Sequence, residues 1–270
     1  MSYGEKGRVE GYRYEKIIEA NANSYSKNSS RPSKQGVESI LGGTTTSKSD
    51  TSINSHNISI KNPGRSGASI QMFVTSQKNI FKGCACDNPD IGIASKLFFG
   101  TPDEEEFENL LVQYEIKKEE LSYNEETRRR RLKFFSLPQK HQSVLLEFLN
   151  TNKRHLVECA LRKGWAKDPQ SYADFMLWSD SSVGGKSSLE HMCLFDIEDV
   201  IDKVCEHDWA IRPSETVFEL GPLTLQMKGS GKGMSKHNFQ FKASLDGLRG
   251  AGIPYISGNS NHMFAHLEAA

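Results

Sequence analysis

The sequence predicts an α+β protein. Three observations carry that expectation: capped, helix-periodic segments concentrate in the middle of the chain, β-prone runs stand on both sides of them, and 270 residues suffice for a sizeable core. Residues 8–20 (RVEGYRYEKIIEA) predict a short helix with Tyr14, Ile17 and Ile18 as its apolar stripe. Residues 21–49 are rich in Ser, Thr, Asn and Gly and read as a loop. The runs 51–60 and 68–75 are strand-like, and Lys61-Asn62-Pro63-Gly64 between them is a turn signal, so the two are expected to form a hairpin.

Thr101-Pro102-Asp103-Glu104 predicts a helix start with Thr101 as N-cap and Pro102 at the first helical position. Phe107, Leu110, Leu111 and Tyr114 continue it at helical spacing. The four arginines Arg128–Arg131 then suit the carboxyl end of a helix dipole. Ser136-Leu137-Pro138-Gln139 opens another helix with capping-box spacing, and Leu156 to Lys163 form one closing at Gly164. Strands are expected at 172–178 and 192–195, followed by a helix capped by Asp196. The last third turns to strands at 216–220, 223–228 and 239–243. A single domain over 1–270 is expected, with thirds at 1–100, 101–210 and 211–270.

Composition excludes several classes. The chain has 34 Lys plus Arg against 34 Asp plus Glu, and a mean hydropathy of −0.56. Net neutrality speaks against a protein that binds nucleic acid by bulk charge. The charges are segregated, however: residues 1–82 hold 12 basic and 6 acidic residues, and 221–250 hold five basic against Asp246 alone. Two basic ends flank an acidic middle, a pattern that suits a localised phosphate-binding face. No run approaches the ~20 apolar residues that span a bilayer, and the opening stretch lacks an apolar signal core. Five cysteines, an odd number, favour a reducing compartment, so the expectation is a cytoplasmic protein with no membrane partner.

Hydrolysing a phosphodiester with a divalent ion requires carboxylates to hold the ion and a cation for the charge that develops on phosphorus. Asp50 before the first strand run and Gln71 on the second are one candidate pair. A ligand at 71 would share its strand face with position 73, which is Phe73. A competing set is Glu219 with Gln226-Met227-Lys228, beside the loop GSGKG. That loop lacks the order of a Walker motif, so a cationic surface hairpin explains it as well. Pro89-Asp90 with Ser95-Lys96 is a look-alike in a polar turn. Cys84 and Cys86 stand one residue apart, closer than zinc ligands usually do.

A run in the second half is more specific. RRRRLKFFSLPQKHQSVLLEFLNTNKRHLVECALRKG, then YADFMLWS, FDIEDVIDKV and VFELGPLTLQMKGSGKGMSKHNFQFKASL, resembles the HinP-type restriction endonucleases and, more distantly, MspI. The likeness covers about 125 to 246, with GYRYEKIIEA and SKSD supporting it upstream.

The resemblance implies a PD-(D/E)xK fold, a mixed central sheet flanked by helices. It also implies Mg²⁺-dependent cleavage of short palindromic sites in double-stranded DNA by a bacterial type II restriction endonuclease, acting as a monomer or loose homodimer. Carried over, the metal-binding Asp falls on Asp50, a metal-site amide on Gln71 and a backbone carbonyl ligand on Met72. Glu15 matches an acid beside the active site. The resemblance places DNA contacts in the C-terminal hairpin at Gln226, Lys228, Lys232 and Lys236. Ser76, Gln77, Lys78 and Asn79 are further candidates for contacts to DNA. The family's catalytic lysine would stand at 73, where this chain has Phe73, and an aromatic ring cannot orient a hydroxide. Lys78 falls on the opposite strand face. Loss of cleavage in this chain, or a sequence-specific DNA-binding protein that does not cut, is therefore the alternative expectation.

Overall fold

Along the chain run α1 (Tyr3–Asn28), β1 (Thr51–Ile53), β2 (His56–Lys61), β3 (Ile70–Thr75), α2 (Gln77–Gly83), α3 (Pro89–Phe99), α4 (Glu104–Gln113), β4 (Leu121–Asn124), β5 (Arg129–Leu132), α5 (Gln139–Thr151) and α6 (Lys153–Glu158). They continue with β6 (Phe175–Ser179), β7 (Met192–Asp196), α7 (Ile197–Cys205), β8 (Ala210–Ile211), β9 (Val217–Leu220), β10 (Leu223–Met227), β11 (Phe239–Ala243), α8 (Leu245–Gly250), β12 (Ile256–Gly258) and α9 (Ser260–Ala269). The structure, a computed structural model, describes residues 3–28, 49–53, 55–63, 67–101, 103–124, 129–164, 168–180, 183, 189–228 and 238–270. The fold is mixed α+β, as the sequence predicts.

The chain forms two compact units. The first comprises Met1–Ile70, Val157–Val204 and Ala243–Ala270, the second Gln71–Leu156 and Cys205–Lys242. In the first unit, five strands run in the order β1-β2-β6-β7-β12. β2 pairs antiparallel with β1 and parallel with β6, in register Ile58↔Phe175, Ile60↔Leu177 and Lys61↔Trp178. Such a strand is covered on both faces, and Ile58, Ser59 and Ile60 are all buried. Ile58, Ile60, Phe175, Leu177, Met192 and Leu194 form one core with Tyr14, Ile18 and Ala22 of α1 and Met263, Phe264 and Leu267 of α9. Truncating Phe264, 1% exposed, to alanine is expected to cost about 3–5 kcal/mol in urea unfolding.

Several local expectations change. α1 continues through residues 21–28, and Ile17 lies on its outer side at 36% exposure, while Ala22 joins the stripe. The hairpin is β1 with β2, turned through Ser55 at φ 69°. β3 belongs to the other sheet, so 51–60 and 68–75 do not pair. Asp103 is the N-cap of α4, its carboxylate accepting the Glu106 N–H. Arg129–Leu132 are strand β5, paired antiparallel with β4, so the arginine run ends no helix. α5 begins at Gln139 without a side-chain cap. Asp196 does cap α7, accepting the Glu198 N–H at 2.8 Å. The stretch 29–48, Trp165, Arg128, and Lys232 and Lys236 lie outside the described residues.

The second unit carries the sheet β3-β11-β10-β9-β8. Phe218, Leu225 and Phe241 fall in one cross-strand row. Phe98 and Phe99 of α3 pack on Phe218 and Phe239, with ring centroids 4.9 and 4.0 Å apart for Phe98–Phe218 and Phe99–Phe239. His141, on α5, is 1% exposed, and its two ring nitrogens meet no hydrogen-bond partner among the described residues. Burial holds it below the ordinary histidine value, with Asp90 opposing. The unfolded chain therefore binds the proton first, and stability is lost as pH falls below about 6.5. Urea midpoints should drop between about pH 7 and pH 5, and His141→Phe should flatten that slope.

Candidate active site

The carboxylate of Asp50 is fixed where the chain enters the first sheet. Its backbone N–H donates to the Ile58 carbonyl at 2.8 Å, and its Oδ2 accepts the Ile60 N–H at 2.6 Å and the Ser59 hydroxyl at 3.3 Å. These bonds hold the side chain against the edge of β2 with little rotational freedom. Oδ1 takes no hydrogen bond among the described residues, and the side chain keeps 28% of its surface exposed.

Ser59 and Lys61 alternate with the core residues Ile58 and Ile60, so they share the other face of β2. The Lys61 ammonium, only 12% exposed, donates to Ser59 Oγ at 2.5 Å and to the Ile60 carbonyl at 3.1 Å, and lies 3.6 Å from Asp50 Oδ2. Glu15 of α1 completes the group. Its carboxyl is pushed from the ordinary value of 4.5 up to about 7, first by burial and then by the Asp50 charge, with Lys61 opposing. Glu15, Asp50, Ser59 and Lys61 thus act on one another, from α1, the entry to β1, and β2.

Gln71 and Met72 belong to a different sheet from the strand that Asp50 precedes. Both stand on β3, in the second sheet and the second unit. Gln71 is exposed, Met72 is buried, and the Phe73 ring lies 6.3 Å from that of Phe241. Lys78 lies on α2 rather than on a strand. The lysine that pairs with Asp50 stands two residues beyond Ser59. Sequence reasoning passed over Lys61. The signal was present: an acid, then a β-prone run ending Ser59-Ile60-Lys61.

Of the candidate DNA contacts, Ser76 is the N-cap of α2, accepting the Asn79 N–H at 3.2 Å, and the Gln77 amide donates to the Gly100 carbonyl at 2.8 Å. Lys78 and Asn79 are exposed. Gln226 is half-buried, opposite Gln240 across the β10–β11 ladder, and Lys228 follows β10. Glu219 of the competing set is ion-paired with Arg212 at 2.6 Å. Asp90, expected in a turn, lies in α3 and pairs with Lys140 at 2.7 Å.

Among the described residues, no three or more His, Cys, Asp or Glu side chains gather in a manner suited to a metal ion. The oxygen donors of Asp50, Glu15 and Ser59 nonetheless suit a hard cation that keeps several waters, as Mg²⁺ does. No helix among the described residues is long and apolar enough to cross a membrane. A scan against protein-family models finds no match, and a search of curated proteins finds none.

Proposed function

We propose that this chain is a Mg²⁺-dependent nuclease of the type II restriction class, which hydrolyses phosphodiester bonds at a short palindromic site in double-stranded DNA. One observation carries this reading: a nearly buried lysine held against a fixed aspartate, with a second carboxylate of raised pKa beside them. A carboxyl of raised pKa set beside charged partners is characteristic of catalytic sites. Asp50, through Oδ1, which takes no hydrogen bond among the described residues, would hold the cation. Glu15 supplies the second carboxylate where Ser59, two residues before the lysine, offers only a hydroxyl.

When bound, Mg²⁺ polarises the phosphodiester and lowers the pKa of a coordinated water. The Lys61 ammonium orients the attacking water and meets the negative charge that develops on the phosphoryl oxygens. Ser59 Oγ fixes the position of that ammonium. Lys78, Asn79, Gln226, Lys228, Lys232 and Lys236 are the candidates for contacts to phosphates and base edges. The resemblance extends the reading to the PD-(D/E)xK fold, a bacterial cytoplasmic setting, and action as a monomer or loose homodimer. A DNA-binding protein that does not cut draws its support from Phe73, and Lys61 beside Asp50 offers a lysine independent of that position.

Incubating plasmid DNA with the protein tests the proposal. Discrete fragments with Mg²⁺ and intact plasmid with a chelator are expected. Intact plasmid with Mg²⁺ and with Mn²⁺ would overturn it.

A further inference from the structure

We propose that Cys84 and Cys86 form a redox-active dithiol that closes reversibly to an intrachain disulfide. The carboxyl end of α2 brings them together. The Cys86 N–H donates to the Phe81 carbonyl at 2.9 Å and the Ala85 N–H to the Lys82 carbonyl at 3.2 Å, the paired bonds of a Schellman cap. That cap needs a left-handed residue at its centre, and here the residue is Ala85, at φ 48°. A left-handed residue bearing a Cβ is strained, and alanine has no polar side chain to offset that strain.

The conformation has a geometric consequence. A helical residue of either hand sets its two neighbours' Cα atoms about 5.4 Å apart, from the helix radius and rise. That is close to the separation of about 5.5–6 Å most common in disulfides. An extended residue at 85 would set them about 6.6 Å apart, near the outer limit. A left-handed residue at 85 therefore favours a backbone separation compatible with closure, and both side chains are thiols. Each is half-buried and open to a small oxidant, whereas Cys159 and Cys193 are buried.

An oxidised small-molecule disulfide such as glutathione disulfide is the oxidant. One cysteine thiolate attacks it, forming a mixed disulfide and releasing one glutathione thiolate. The second cysteine thiolate attacks the protein sulfur, forming the Cys84–Cys86 bond and releasing the other. Two thiol protons leave the protein, and the two released thiolates take them up. The closed loop is so short that little chain entropy is removed, so the bond is readily reduced again. It is a reversible modification at the end of α2, not a structural staple.

The full chain, equilibrated in glutathione redox buffers, alkylated and mapped by mass spectrometry, tests this. The expected product is a peptide holding both residues, lighter by two hydrogen atoms and carrying no glutathione. Cys84→Ser should leave a glutathione adduct on Cys86, and Cys86→Ser one on Cys84. Ala85→Val, whose branched side chain resists the left-handed conformation, should shift the closure equilibrium toward the dithiol by about tenfold. The part-exposed Cys205 is the internal control, forming only an adduct. Two adducts on the wild-type peptide, or two alkylated thiols at a poise that loads Cys205, would overturn the proposal.

Discussion

Replacing Lys61 with methionine should lower the rate of DNA cleavage by about 10²–10³-fold. Methionine keeps much of the length and apolar stem of lysine, so the end of β2 should stay in place. What it removes is the ammonium held 3.6 Å from Asp50 Oδ2. The loss should fall on the chemical step. Binding of a short DNA duplex without cleavage, measured by anisotropy in Ca²⁺, should stay near the wild-type value. A parallel fall in affinity would assign Lys61 to phosphate binding instead.

Glu15→Gln should raise stability and lower metal affinity in the same variant. In the metal-free protein, Glu15 holds its proton up to about pH 7, whereas the unfolded chain releases it near 4.5. Between these values the folded state binds more protons, so stability falls as pH rises through that window and stays lower above it. Glutamine has no charge to desolvate or to oppose Asp50. In the presence of a chelator at about pH 8 the variant should be more stable by about 1–2 kcal/mol, the full shift being discounted because the group is partly solvated. Near pH 4 the two should coincide. Saturating Mg²⁺ should raise the melting temperature of the wild type more than that of the variant, since only the former keeps both carboxylates for the ion. Equal shifts would place Glu15 outside the metal site.

The parts of the fold legible in the sequence are those with local signatures. β9, β10 and β11 announce themselves by β-prone residues between glycine-rich turns, and Asp196 by its place before the stripe Val200, Ile201 and Val204. The partner of β2 carries no such signature: it is β6, and the Asn57 N–H donates to Asp174, 117 residues away. Without that pairing, the turn signal after Lys61 suggests that 51–60 folds back on 68–75. That expected hairpin sets Gln71 and Phe73 beside Asp50, whereas Ser59 and Lys61 are the residues that bond to it. Asp50 is legible as an acid before a strand run and Glu15 only through the resemblance, and only the fold shows that they act on each other. The run of arginines from 129 shows a different limit. Its charge suits a helix end, but its backbone bonds go to β4, and composition does not encode that pairing.

Cleavage of one DNA substrate by the wild type, Lys61→Met and Phe73→Lys, compared under the same Mg²⁺ conditions, separates the two placements of the catalytic lysine. With the site at Glu15, Asp50, Ser59 and Lys61, the wild type cuts, Lys61→Met does not, and Phe73→Lys gains nothing. An inactive wild type awakened by Phe73→Lys, or a Lys61→Met variant that cuts as the wild type does, would contradict that placement.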